Sequence, residues 1–263
     1  MQVSAMNAAA SPVAATRGSA TWRLVTIESK LCLRDKVAPI WGVGCPLIVL
    51  IILGSLPVLR KPLEAAGGLT IFDMYVPVLI IFNLAILAMT ALPATLAGYR
   101  ENGVLRRMQA TPVGPARLLT AQLVANLAIA LVAMILFLAV AGLGFGVALP
   151  RHLIGFAVAW LLAAAALLAI GLLITALVPG RSSASAIGTV LFFPMMFFAG
   201  LWVPIAQMPP VLQTISHYTP LGAGMQAFQD AYLGHFPSAL PLVILAAYAA
   251  GCAVIAVHWF RWE

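Results

Sequence analysis

The side chains of this chain that are capable of chemistry are few and poorly placed for it. Its carboxylates are Glu28, Asp35, Glu64, Asp73, Glu101, Asp230 and Glu263, and its histidines are His152, His217, His235 and His258. HExxH, GxSxG and paired intramembrane aspartates are all absent, which removes the usual routes to metal-assisted or nucleophilic hydrolysis. No lysine follows a glycine, so the GxxxxGK[ST] phosphate loop is missing as well. A metal site built from His152, His217 and His235 is conceivable, but hydrogen bonding at a membrane interface is the simpler reading. Cys32, Cys45 and Cys252 have no CxxC spacing, which argues against zinc and structural disulfides.

The one conspicuous polar string is Tyr99-Arg-Glu-Asn-Gly-Val-Leu-Arg-Arg-Met-Gln-Ala-Thr-Pro-Val-Gly-Pro-Ala-Arg117. Val104, Leu105 and Met108 make a small apolar patch on a two-turn helix, while Arg106, Arg107 and Gln109 point elsewhere. Thr111-Pro112 ends that helix. Gly114-Pro115 restarts one, with proline suited to a first turn. The pattern predicts a short helix roughly parallel to a membrane and rigidly joined to the next apolar run, a handle through which a partner passes motion. The competing reading is a solvated loop whose arginines merely follow the positive-inside bias. Composition alone does not separate the two.

The elements around the string must be membrane helices. Of 263 residues, 63% are hydrophobic and 8% charged, a composition for a polytopic helical membrane protein. Continuous apolar runs exclude a barrel, which would alternate over short segments. The net charge of +7 comes without a soluble basic scaffold, so nucleic acid is not an expected partner. The spans are expected at roughly 38–57, 74–98, 119–148, 153–178, 185–203 and 239–258, with Pro46, Pro77, Pro93 and Pro194 inside them. Prolines are tolerated there when neighbours re-satisfy the freed carbonyls.

Lys and Arg set the orientation. Arg17, Arg23, Lys30, Arg34, Lys36, Arg100, Arg106, Arg107, Arg117, Arg181 and Arg261 fall on one side, against Arg60, Lys61 and Arg151 on the other. Both termini are therefore expected in the cytoplasm. Residues 1–18 read as a flexible tail and not as a cleavable signal. Residues 19–36 read as an interfacial amphipathic helix, and 38–258 as a single six-span bundle. Between spans five and six, Met208, Val211, Leu212 and Ile215 repeat at helical spacing. Thr219-Pro220 breaks the chain there. Leu221, Met225, Phe228 and Tyr232 then continue to a cap at Gly234. Two short helices dipping into the outer leaflet fit that pattern. No carboxylate sits centrally in a span, which disfavours ion-coupled transport, and no filter or ring of charge suggests a selective channel.

The basic string resembles the first intracellular loop of ABC-2 family exporter permeases, which typically reads Arg-Glu-(Lys/Arg)-Gly-Thr-Leu-(Arg/Glu)-Arg-Leu-x-(Ala/Ser)-(Thr/Ser)-Pro. Phe197-Phe-Ala-Gly-Leu-Trp-Val-Pro-Ile-Ala-Gln-Met-Pro-Pro-Val-Leu-Gln213, with Thr219-Pro-Leu221, is similar to a second stretch of the same family. The resemblance covers essentially everything after residue 20, and its flavour is that of the bacterial drug- and antibiotic-resistance branch. It implies a multi-pass protein of the bacterial inner membrane that binds no cofactor itself. Its expected partners are a second permease copy, identical or related, and two nucleotide-binding subunits that carry ATP and Mg. It also implies that Arg100, Glu101, Gly103, Leu105, Arg106, Arg107 and Met108 make or shape a coupling helix seated on the ATPase. Asn102 and Val104 depart from the family's usual Lys/Arg and Thr.

On that reading the chain is a transport subunit and not an enzyme. The path for hydrophobic or amphipathic drug-like molecules would run between the two copies, along spans two and five. Asn83, Met89 and Thr90 on span two, and Phe193, Phe197, Phe198 and Trp202 on span five, are its candidate lining, since aromatics and methionine suit flat, greasy cargo. A lipid or glycan exporter would share the fold, and a membrane scaffold unrelated to ABC transport is the outside alternative.

Overall fold

A computed structural model describes residues 40–61, 70–109 and 115–259, and every regular element among them is helical. Helix α1 is Cys45–Ser55, led in by a π turn at Ile40–Gly44. Helix α2 is Ile71–Glu101, and short α3 is Val104–Gln109. Helix α4, Pro115–Ala139, continues through a π turn at Val140–Gly144. Helices α5, Leu153–Leu177, and α6, Arg181–Phe198, follow. The short pair α7, Pro210–Tyr218, and α8, Pro220–Leu233, precedes α9, Ala239–Trp259. The expected tail and interfacial helix, and Thr111-Pro112 with Gly114, lie outside the described residues.

Four helices, α2, α4, α5 and α9, are long and apolar enough to cross a membrane. The other two expected spans are also helical. However, α1 is short, and α6 opens on Arg181, Ser182, Ser183 and Ser185. Helix α6 ends earlier than expected, because Gly200 turns the chain at φ 86°. At 9 and 14 residues, α7 and α8 are each shorter than a bilayer crossing.

Side chains close the helix ends that face the expected outer end. The Thr70 hydroxyl accepts the Asp73 amide (3.1 Å) while the Asp73 carboxylate accepts the Thr70 amide (2.8 Å), a reciprocal capping box that starts α2. His152 Nδ1 accepts the Gly155 amide (2.9 Å) at the start of α5. Thr219 does the same for Gly222 (3.1 Å) in α8, with Pro220 in the first turn. Gly234, at φ 93°, closes α8 as its sequence position suggests. Asp230 then accepts the Ser238 amide and hydroxyl (both 2.9 Å) and so joins α8 to the start of α9.

The core is α2 and α5. Of the most apolar stretch of each helix, 72% is buried in α2 and 61% in α5, against 28% in α4 and 17% in α9. Helix α9 packs chiefly on α5, and α8 wedges between α5, α9 and α2. Val132 and Ile135 of α4, and Val254 and Val257 of α9, remain exposed, as helices bordered by lipid require.

Helix α2 is not regular. Pro93 has no amide hydrogen, and the Leu92 amide reaches back five residues to the Leu87 carbonyl, opening a π turn at Leu87–Ala91. Ala88 thereby loses its normal donor and finds a proline one residue further on. Met89 loses its donor to the proline directly. Both freed oxygens point at glycines of neighbouring helices: a Cβ on Gly171 of α5 would overlap the Ala88 oxygen, and one on Gly188 of α6 would overlap that of Met89. Weak Cα–H···O contacts of this kind are worth about 0.5–1 kcal/mol each. Thr90 adds a bond from its hydroxyl to the Ile86 carbonyl (2.5 Å). The π turn therefore locks three helices at one level.

Candidate functional site

The polar string folds as a tight appendage at the arginine-rich end. Gly103 takes φ 65°, a left-handed turn that separates α2 from α3. The Asn102 amide donates to the Gly98 carbonyl (2.8 Å) and the Arg107 guanidinium to the Asn102 carbonyl (2.9 Å), so the turn is closed from both sides. Helix α3 packs on the end of α2 and on the start of α4. Leu105 is 1% exposed and faces this packing, Val104 and Met108 are half-buried, and Arg106 and Arg107 are exposed. The apolar patch read from the sequence is therefore divided: its centre anchors α3 to its own chain. The outward surface of α3 is basic.

Arg100 and Glu101 face a different way. Arg100, at the last turn of α2, donates to the Thr175 carbonyl (3.2 Å) and to the Val178 carbonyl, at the C-terminal end of α5. Glu101 Oε1 accepts the Arg181 amide (2.9 Å), the first of α6. Helix α6 has no capping side chain of its own, because Gly180 occupies that position. Cation at a helix C-terminus and carboxylate at an N-terminus both agree in sign with the helix dipoles. The signal for this was available in the sequence: Val178-Pro179-Gly180 ends one helix and starts the next with no Ser, Thr, Asp or Asn to cap it. Arg181 in turn lays its side chain over Gly98.

Above this clasp, Ala94 and Glu101 of α2 and Arg181, Ser182, Ser185 and Ala186 of α6 line an open groove. Further along its length α6 itself turns aromatic. Phe193 and Trp202 are 53% and 51% exposed and stacked, ring centres 6.2 Å apart. Phe197 and Phe198 meet edge to face at 5.4 Å and are half-buried. Thr90 is half-buried too.

The two remaining candidates are placed differently. Asn83, 2% exposed, donates its side-chain amide to the Gly42 carbonyl and ties α2 to the π turn that leads into α1; Met89 is fully buried at the π turn of α2. The structure thus exposes Phe193 and Trp202, half-buries Phe197 and Phe198, and buries Asn83 and Met89 inside the chain. The histidines are dispersed. His152 caps α5, and no group of three potential metal ligands occurs among the described residues.

Comparison with known proteins agrees with this architecture. The family described as ABC-2 type transporter matches residues 19–233. A curated protein, "Nodulation protein J" of Sinorhizobium fredii (strain NBRC 101917 / NGR234), is 31% identical over 64 residues, covering 24% of each chain. The match therefore spans about a quarter of that relative's length.

Proposed function

The chain belongs to the ABC-2 type transporter family, and from that premise we propose that it is the transmembrane permease subunit of an ATP-driven exporter in a bacterial inner membrane, with both termini in the cytoplasm. The observation that carries this reading is α3: a short helix anchored by Leu105, with Arg106 and Arg107 turned outward. No phosphate loop occurs in these 263 residues, and on this reading the energy enters through a nucleotide-binding subunit that carries ATP and Mg. Two such subunits would serve two permease copies. The basic face of α3, with Met108 at its edge and Gly103 setting its angle, is the docking surface. A complementary acidic and apolar groove on the ATPase is its counterpart.

The cargo we propose is a hydrophobic or amphipathic small molecule taken from the cytoplasm or the inner leaflet. Phe193, Phe197, Phe198 and Trp202 offer it flat apolar area, and Thr90 a hydroxyl. Asn83 and Met89 would join the lining only if α2 turned away from α1 and α6 during transport.

The test is co-purification of the chain with the nucleotide-binding subunit encoded beside it. Charge reversal at Arg106→Glu with Arg107→Glu is expected to abolish the complex while leaving the permease monodisperse in detergent. The wild-type complex is expected to weaken as salt rises, because exposed charges are screened. Undiminished binding by the reversed variant would remove α3 as the docking surface. With the complex reconstituted, stimulation of ATP turnover by drug-like amphiphiles, but not by lipid or glycan carriers, would identify the cargo class.

A further inference from the structure

We propose that Arg100 and Glu101 are positioning residues that fasten the end of α2 to the turn between α5 and α6, and do not themselves contact the ATPase. They form a two-armed clasp. One arm, Arg100, takes two carbonyls from the end of α5, Thr175 and Val178. The other arm, Glu101, takes the first amide of α6, at Arg181. Consecutive residues on one helix thus hold two other helix ends, each at the pole its charge favours. Both are charge-assisted bonds, stronger than their neutral counterparts. Glu101 also fills the space beside Gly180, where a Cβ would lie 2.8 Å from its Oε1.

The clasp sits two residues from the left-handed turn at Gly103 that leads into α3. A push on α3 therefore reaches α2 first. Through the clasp it reaches α5 and α6 at the same moment, without passing along α4. This deepens the docking reading above, and assigns to the intramolecular linkage two residues that the family resemblance would give to the partner.

Two measurements separate the possibilities. The first needs no ATPase. With the native cysteines replaced by serine, spin labels at Arg106→Cys and Ser182→Cys report the distance from α3 to the start of α6 in the purified chain in lipid nanodiscs. The intact clasp gives one narrow peak. Arg100→Ala with Glu101→Ala is expected to lose it, and Glu101→Ala alone to broaden it. Glu101→Gln keeps an acceptor oxygen for the Arg181 amide and is expected to restore the narrow peak. A narrow peak surviving in the double alanine variant would overturn the clasp.

The second measurement uses unlabelled protein and the ATPase. The double alanine variant is expected to co-purify with it as wild type does, but to lose stimulated ATP turnover. Loss of binding by a variant that remains monodisperse would place the two residues on the partner's surface and overturn the proposal. If the wild-type chain itself binds no ATPase, it is the docking reading that fails, and the spin-label result still decides the clasp.

Discussion

Leu105 shows how a single side chain can change roles between sequence and structure. In the sequence it is the apolar centre of a basic loop, which the family resemblance offers to a partner. In the fold it is 1% exposed and holds α3 against α2 and α4. Truncating a buried leucine costs about 2–5 kcal/mol, far more than a two-turn helix supplies on its own. Leu105→Ala is therefore expected to release α3, and hydrogen exchange of the Val104–Gln109 amides should accelerate while α5 amides stay protected. If exchange in α3 were unchanged, Leu105 would not be the anchor, and the outward-facing reading would return. Leu105→Asp is expected to uncouple ATP turnover by the same loss of anchorage, and insertion into the membrane should persist. Asn102 also finds a place: its side-chain amide donates to the Gly98 carbonyl in the last turn of α2.

At the scale of elements, the decisive feature is the π turn of α2 seated between two glycines. Gly188→Ala and Gly171→Ala each place a Cβ inside a carbonyl oxygen's space. Overpacking of this kind costs about 1–3 kcal/mol or more. Each variant is expected to unfold at a lower temperature than wild type in detergent, whereas Gly251→Ala, whose Cβ would meet nothing within 4 Å, should not. Equal melting of all three would mean that α2 does not pack this closely. Much of this layer was legible beforehand. The apolar runs marked the four long helices α2, α4, α5 and α9 to within a few residues, and Gly234 and Thr219 marked the limits of α8. A proline at 93 announced freed carbonyls. It could not announce their receivers, because Gly171 and Gly188 are distant in the chain and one glycine in an apolar run looks like any other. The sequence showed that α6 starts at Gly180 without a cap of its own, but not that Arg100 and Glu101 would serve these helix ends, since the acceptors lie on α5 and the donor on α6. Exposure on α6 was hidden too: the aromatic spacing was visible, but not which ring would stack on Trp202.

The whole molecule has two unlike ends. Arg100, Arg106, Arg107, Arg117 and Arg181 gather at one, while Arg60 and Arg151 stand at the other, Arg60 bonded to the Phe145 carbonyl (3.3 Å). Positive charge favours the cytoplasmic side. In intact spheroplasts, a membrane-impermeant maleimide is expected to label Arg151→Cys and to spare Ser182→Cys until the cells are opened. The reverse pattern would invert the protein and end the docking reading with it. The composition of α6 along its length carries a consequence for leakage. If α6 lines the proposed path, Ser182, Ser185 and Thr189 would let water climb from the arginine-rich end, but exposed Phe193 follows one turn after Thr189 and offers it no hydrogen bond. On the path proposed above, wetting would stop there, so small hydrated ions would meet an oily stopper while a molecule willing to shed its water could proceed.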